Sequence, residues 1–204
     1  MTKSLEFYFD YGSPYSYVAY VRLPEVIKRT GAKLIYRPML LGGVFQATGN
    51  SSPAFNKLKW PNSQRDLVRY VSKYKIPFQR NPHFPINTLK LMRGAVATEI
   101  DGTFDRYTAA IFPAMWRDAL NMGEDAVFAE VLTKAGLDAA HVFKRIGEDD
   151  VKNALKANTE AAVARGVFGA PTFFVDGEMF FGQDRLEFVE DALTGRSWIA
   201  GAAG

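Results

Sequence analysis

The sequence predicts an α/β domain interrupted by a large all-helical insertion, and three observations carry that prediction. The chain opens with strand, helix and strand; the stretch from Gly42 to Gly166 shows helical periodicity and no strand pattern; a hairpin followed by a helix closes it. Neither end holds enough strands for a stable sheet of its own, but together they supply four. Residues 1–42 and 166–204 are therefore expected to form one discontinuous domain, with residues 43–165 inserted.

Leu5-Glu6-Phe7-Tyr8-Phe9-Asp10 is a short aromatic-rich strand pattern that Tyr11-Gly12-Ser13-Pro14 ends with turn chemistry. Ser13 suits a helix N-cap and Pro14 the first helical position, and Tyr17, Val18, Val21 and Ile27 mark an apolar face up to Gly31. Lys33 to Pro38 reads as a second strand, parallel to the first, because a helix joins them. In the insertion, helices are expected near Gln64–Tyr74, Thr88–Ile100, Phe104–Leu120, Glu124–Ala135, Ala139–Ile146 and Asp150–Arg165, with Pro113 kinking or breaking the third. Loops are expected at Gly49–Pro53, Trp60–Ser63 and Asn81–Asn87. Pro171 to Phe181 reads as a β-hairpin turning at Asp176-Gly177, and a last helix runs near Asp184 to Leu193.

Composition narrows the function classes. The 48% hydrophobic and 23% charged content belongs to a folding chain, and a net charge of +3 with scattered basic residues gives no support to nucleic-acid binding. The chain has no cysteine, which excludes disulfides, thiolate metal sites and a protein-borne reactive thiol. His83 and His141 form no metal-ligand spacing, so no metal is expected. Lys3, Glu6 and Asp10 interrupt the N-terminal apolar residues, and no segment is apolar enough to span a bilayer, so a cytoplasmic protein without membrane contact is expected.

Ser13-Pro14-Tyr15-Ser16 lies at a strand-to-helix turn, where free N–H groups and the positive end of a helix dipole favour an anion. A serine there can cap the helix, donate a hydrogen bond to a ligand thiolate, or do both, since its lone pairs and its proton are separate resources. Ala170-Pro171 at a strand start allows either an ordinary trans proline or a cis bond that exposes the Ala170 backbone to an extended peptide. Phe181-Gly182-Gln183-Asp184 opens the last helix, and Gln183 and Asp184 can hold an amino-acid-like end group, or Asp184 simply cap. Trp60, Phe84, Phe112 and Trp116 suit a core or a flat aromatic ligand.

Taken in order, Phe9-Asp10-Tyr11-Gly12-Ser13-Pro14-Tyr15-Ser16, Pro85-Ile86-Asn87-Thr88-Leu89, Gly166-Val167-Phe168-Gly169-Ala170-Pro171-Thr172-Phe173 and Phe181-Gly182-Gln183-Asp184-Arg185 resemble one family. It is the 2-hydroxychromene-2-carboxylate isomerases, in the DsbA-like branch of the thioredoxin superfamily, with kappa-class glutathione transferases as relatives. The resemblance covers nearly the whole chain. It implies a thioredoxin-like (DsbA-like) fold with a large inserted helical domain, and glutathione as cofactor. Ser13 would be the active-site residue at the glutathione sulfur, and Ala170 and Pro171 the cis-proline pairing position. Phe181, Gly182, Gln183 and Asp184 would grip the other end of the tripeptide. Asn56, Lys57, His83 and Phe84 would be pocket-wall residues, with Lys57 either meeting a substrate carboxylate or standing as a solvated surface lysine.

The implied reaction is the reversible interconversion of 2-hydroxychromene-2-carboxylate and trans-o-hydroxybenzylidenepyruvate in naphthalene breakdown, by thiolate addition and expulsion. The implied partners are a small aromatic carboxylate substrate and a second copy in a homodimer. A kappa-type transferase would use the same site, and a non-catalytic thioredoxin-like binding module or chaperone would keep Ser13 only as a cap.

Overall fold

A computed structural model describes residues 3–196 and Trp198. Strand β1 (Ser4–Phe9), helix α1 (Pro14–Thr30) and strand β2 (Lys33–Pro38) open the chain; β3 (Thr172–Val175), β4 (Glu178–Phe181) and α9 (Leu186–Leu193) close it. Between them lie α2 (Leu41–Thr48), α3 (Lys59–Lys73), α4 (Leu89–Ile100), α5 (Phe104–Trp116), α6 (Asp125–Lys134), α7 (Ala139–Arg145) and α8 (Asp149–Ala164). The sheet order is β2-β1-β3-β4, with β1 parallel to β2 and antiparallel to β3. The β3–β4 hairpin turns at Asp176 and Gly177, both with positive φ, as a tight primed turn demands.

The central strand β1 sets the core. Phe7 and Phe9 are fully buried and stack with each other; Phe7 also stacks on Phe173 of β3, while Phe9 packs on Phe112 of α5. One hydrophobic cluster thus runs from the sheet through α1 into α4, α5 and α6. The sheet and the inserted helices share their core, and the boundary drawn at 42/43 falls inside α2.

Several helix boundaries differ from the sequence reading. Helix α2 was not expected, because Gly42 and Gly43 are poor helix formers; Gly43 lets the helix approach Thr159 of α8 closely, where a Cβ would sit 3.2 Å from its Cγ2. Helix α3 begins at Lys59 and absorbs the expected Trp60–Ser63 loop, since Pro61 falls in its first turn, where an N–H has no acceptor to lose. Pro113 sits in the last turn of α5, which stops at Trp116 rather than Leu120. Beyond it the Arg117 and Asp118 N–H groups both reach the Pro113 carbonyl, and Ala119 turns left-handed. The residues from 197 onward, Trp198 apart, lie outside the described part of the chain.

The loop after β1 is tied at every residue. The buried Asp10 carboxylate accepts from Gly12 N (2.8 Å), Leu41 N (2.8 Å) and Thr88 Oγ1 (3.1 Å), joining β1 to the starts of α2 and α4. Tyr11, fully buried, bonds its hydroxyl to Thr108 at 2.8 Å, and Trp116 Nε1 donates to its carbonyl at 2.7 Å. Gly12 has no room for a side chain: a Cβ would lie 2.9 Å from Thr88 Cγ2.

Burial pushes the Asp10 carboxyl above its ordinary range, against the pull of its three donors. Replacing Asp10 by Ala leaves those donors unpaired, and equilibrium urea unfolding is expected to show a loss of about 3 kcal/mol. The folded state holds this proton more tightly than the unfolded chain, so the contribution is full below about pH 4 and is lost as pH rises through the folded value. The stability gap between wild type and Asp10→Ala should therefore widen on going from about pH 7 to about pH 4.

Candidate active site

The tied loop delivers Ser13 to the N-terminus of α1. Its extended backbone (φ −95°, ψ 114°) and Pro14 at the first helical position are those of an N-cap, and Ser13 Oγ accepts from Ser16 N at 3.2 Å. The same hydroxyl donates to the Ala170 carbonyl at 3.1 Å, so it both caps α1 and bridges to the strand side of the site. The Ala170–Pro171 bond is cis. Ala170 N–H has no acceptor among the described residues, which leaves it available to an extended backbone laid alongside.

Both residues open into a cleft of about 740 Å³ between the sheet end, α2 and α3. Phe181 and Phe168 wall one side, their ring centres 4.5 Å apart, and Gly169 lies so close that a Cβ would come 2.7 Å from the Phe181 ring. Gly182, at φ 103°, donates to the Pro171 carbonyl at 2.9 Å; a Cβ there would collide with the Asp184 carboxylate, which pairs with Arg185 at 2.8 Å. Gln183 lines the cleft but is only 3% exposed, and its Oε1 is buried without a hydrogen-bond partner among the described residues. An unpaired buried amide oxygen is the group most in need of an external N–H.

The structure therefore brings Ser13, Ala170, Pro171, Phe181, Gly182, Gln183 and Asp184 to one cleft. Of the four pocket-wall candidates, Asn56 and Phe84 line it, and Lys57 and His83 do not. Lys57 points away because Asn56 Oδ1 accepts from Leu58 N and Lys59 N, folding the chain into α3 so that Lys59, not Lys57, faces the cleft. His83 is exposed in a turn where its N–H bonds Asn81 Oδ1 at 2.9 Å. Lys59 was missed as a site residue, and the Asn56 turn is the signal that could have placed it; Trp60, which suits a core or a flat aromatic ligand, lines the cleft. Ser16 is buried a turn below Ser13 and takes no part in the lining. No group of acidic and histidine side chains suited to a metal exists among the described residues.

A hydroxyl at a helix N-terminus, a free backbone N–H beside a cis-proline and a mixed α/β sheet define a thioredoxin-type site, and residues 4–194 match the profile of the DSBA-like thioredoxin domain. The chain belongs to that family. It is 30% identical to a 2-hydroxychromene-2-carboxylate isomerase of Sphingobium xenophagum, over 95% of this chain and 99% of that one. A solved 2-hydroxychromene-2-carboxylate isomerase superposes with a TM-score of 0.84 at 29% identity, covering 93% of this chain and 94% of that one. Within the DSBA-like proteins the chain thus belongs to the 2-hydroxychromene-2-carboxylate isomerase family. A further relative is glutathione S-transferase kappa 1 of Rattus norvegicus, 28% identical over 96% of this chain and 92% of that one.

Gln183 carries a testable consequence. Gln183→Leu removes a buried, unpaired oxygen at nearly constant volume, so thermal or urea unfolding of the free protein should show equal or higher stability, by up to about 1 kcal/mol. A loss of 1 kcal/mol or more would mean that the amide is satisfied within the chain.

Proposed function

We propose that the chain is a glutathione-dependent isomerase that interconverts 2-hydroxychromene-2-carboxylate and trans-o-hydroxybenzylidenepyruvate. One observation carries this reading: the Ser13 hydroxyl stands in the cleft at the N-terminus of α1, within 3.1 Å of the Ala170 carbonyl and beside its unpaired N–H.

The residues present fit glutathione. The Ala170 backbone would pair with the extended tripeptide, and the unpaired Gln183 Oε1 with its ammonium or amide N–H; the α1 N-terminus suits its sulfur as an anion. Ser13 spends its proton on the Ala170 carbonyl in the free protein. A peptide N–H taking up that carbonyl lets the hydroxyl turn toward sulfur while its lone pair keeps the Ser16 N–H. Ser13 then stabilises a thiolate without ceasing to cap. Bound glutathione would supply a thiolate nucleophile that adds reversibly to the conjugated substrate, so that the carbon–carbon bond can rotate before the sulfur leaves. Ser13 itself cannot perform this chemistry, and no cysteine in the chain replaces it.

Identity to a kappa-class transferase supports a second reading, in which the same site releases a glutathione conjugate. Following the chromene acid spectroscopically, with and without glutathione, separates the two. The isomerase reading expects equilibration that requires glutathione and leaves it unconsumed, and a fall of about 10²-fold in kcat for Ser13→Ala with the fold retained. Accumulation of a conjugate would favour the transferase; an unchanged rate in Ser13→Ala would remove the role assigned to that hydroxyl.

A further inference from the structure

A second cavity of about 440 Å³ adjoins the cleft and shares Pro14, Trp60 and Phe84 with it. Pro14 follows Ser13 directly, so a molecule in this side slot abuts the candidate active residue. Its walls are aromatic: Trp60 stacks on Phe84 at 5.9 Å, Phe84 packs on Trp116 at 5.6 Å, and Phe78 stacks on Trp116 at 6.1 Å. The size and the flat walls suit a small planar ring.

The slot contains one charged side chain. The Arg80 guanidinium carbon lies 5.9 Å from the centre of the Trp60 ring and meets no Asp or Glu within salt-bridge distance among the described residues. Asn81, beside it, has its amide committed to the Met115 and Leu120 carbonyls and to His83 N, so it offers little to a ligand. A guanidinium steadied over an aromatic face keeps its N–H fork free, and that fork fits a carboxylate. The other cations nearby are less suited: Arg69 is paired with Asp66 at 2.5 Å, Lys59 faces the wide cleft, and Lys57 faces neither cavity.

We propose that Arg80 is a specificity-determining residue, which holds the carboxylate of a planar aromatic anion whose ring lies in the slot formed by Trp60, Phe84, Phe78 and Trp116. This moves the anionic contact away from Lys57. It deepens the isomerase reading by naming how the substrate acid is recognised, and it rests on that reading only for the identity of the natural substrate.

Trp60 and Trp116 report on the slot directly, so quenching of tryptophan fluorescence by trans-cinnamate and by its neutral carboxamide measures charge recognition without catalysis. Wild type is expected to bind cinnamate at least fivefold more tightly than the amide. Arg80→Gln should bring that ratio close to one with amide binding unchanged, which also shows that the slot persists, and Arg80→Lys should keep part of it. An unchanged ratio in Arg80→Gln, a wild-type ratio near one, no quenching by either ligand, or a preference abolished by Lys59→Gln instead would each overturn the proposal. Glutathione affinity, measured by calorimetry on the same proteins, separates the two readings. If wild type fails to bind the tripeptide, the thiol mechanism falls while an Arg80-dependent ratio still stands.

Discussion

The Asp10 carboxylate is the constraint on which the site depends. It is buried without a cationic partner among the described residues, and it is held instead by a backbone N–H of its own turn, the first N–H of α2 and the hydroxyl of Thr88 before α4. A buried carboxyl so placed is tolerable only if its donors stay in place, so each donor fixes the others. The turn that carries Ser13 is thereby tied to one helix that walls the cleft and to the first core helix beyond it. Tyr11, clamped between Thr108 and Trp116, adds the same coupling from α5.

That coupling explains what the inserted helices do. A strand-to-helix turn in a small sheet would offer a helix N-terminus but little to hold a loop still or to enclose a substrate. Here α5 supplies the partner for Tyr11, the segment before α4 supplies Thr88, and α2 and α3 close the cleft over Ser13. Because Phe7, Phe9 and Phe112 pack in one cluster, the sheet and the helical wall cannot shift independently without opening shared core.

The strands, the parallel β1–β2 pair and the hairpin were legible because they depend on local patterns: alternation, a helix-length crossover, and Asp-Gly at the turn. The Ser13 segment was legible for the same reason, as Ser13-Pro14 carries capping chemistry whatever surrounds it; Asp184, by contrast, caps no helix, since α9 starts at Leu186 without a side-chain cap and the carboxylate pairs with Arg185 instead. What local pattern could not show was packing. Helix α2 is set by Asp10 and by the fit of Gly43 against Thr159, both remote in sequence, and so no separate helix was expected there. The pocket wall misled at Lys57 because a turn made by Asn56 rotates the next residues, and charge type alone does not say which lysine faces inward. Asp10 had a local trace in the Asp-x-Gly turn, but its role as a three-way tie needs the fold. The Arg80 slot had a trace only in Trp60, Phe84 and Trp116, which suit a core as well as a flat ligand, since its walls come from α1, the segment before α3, α3, α5 and the segment between α3 and α4.

The same logic bears on the presence of an oxygen, rather than a sulfur, at the helix start. A cysteine at this place would draw its reactivity from the α1 N-terminus and could cycle between thiol and disulfide. Serine keeps the polar helix end and the short bridge to Ala170 but offers no sulfur to oxidise, which is the arrangement the proposed function needs if the anion is to come with the ligand. The Gln183 oxygen and the Ala170 N–H are polar groups that the fold has positioned but, among the described residues, not satisfied, whereas the Ser13 proton has found the Ala170 carbonyl; a folded chain can tolerate unsatisfied groups around a cleft when a ligand completes them, as the proposed function requires.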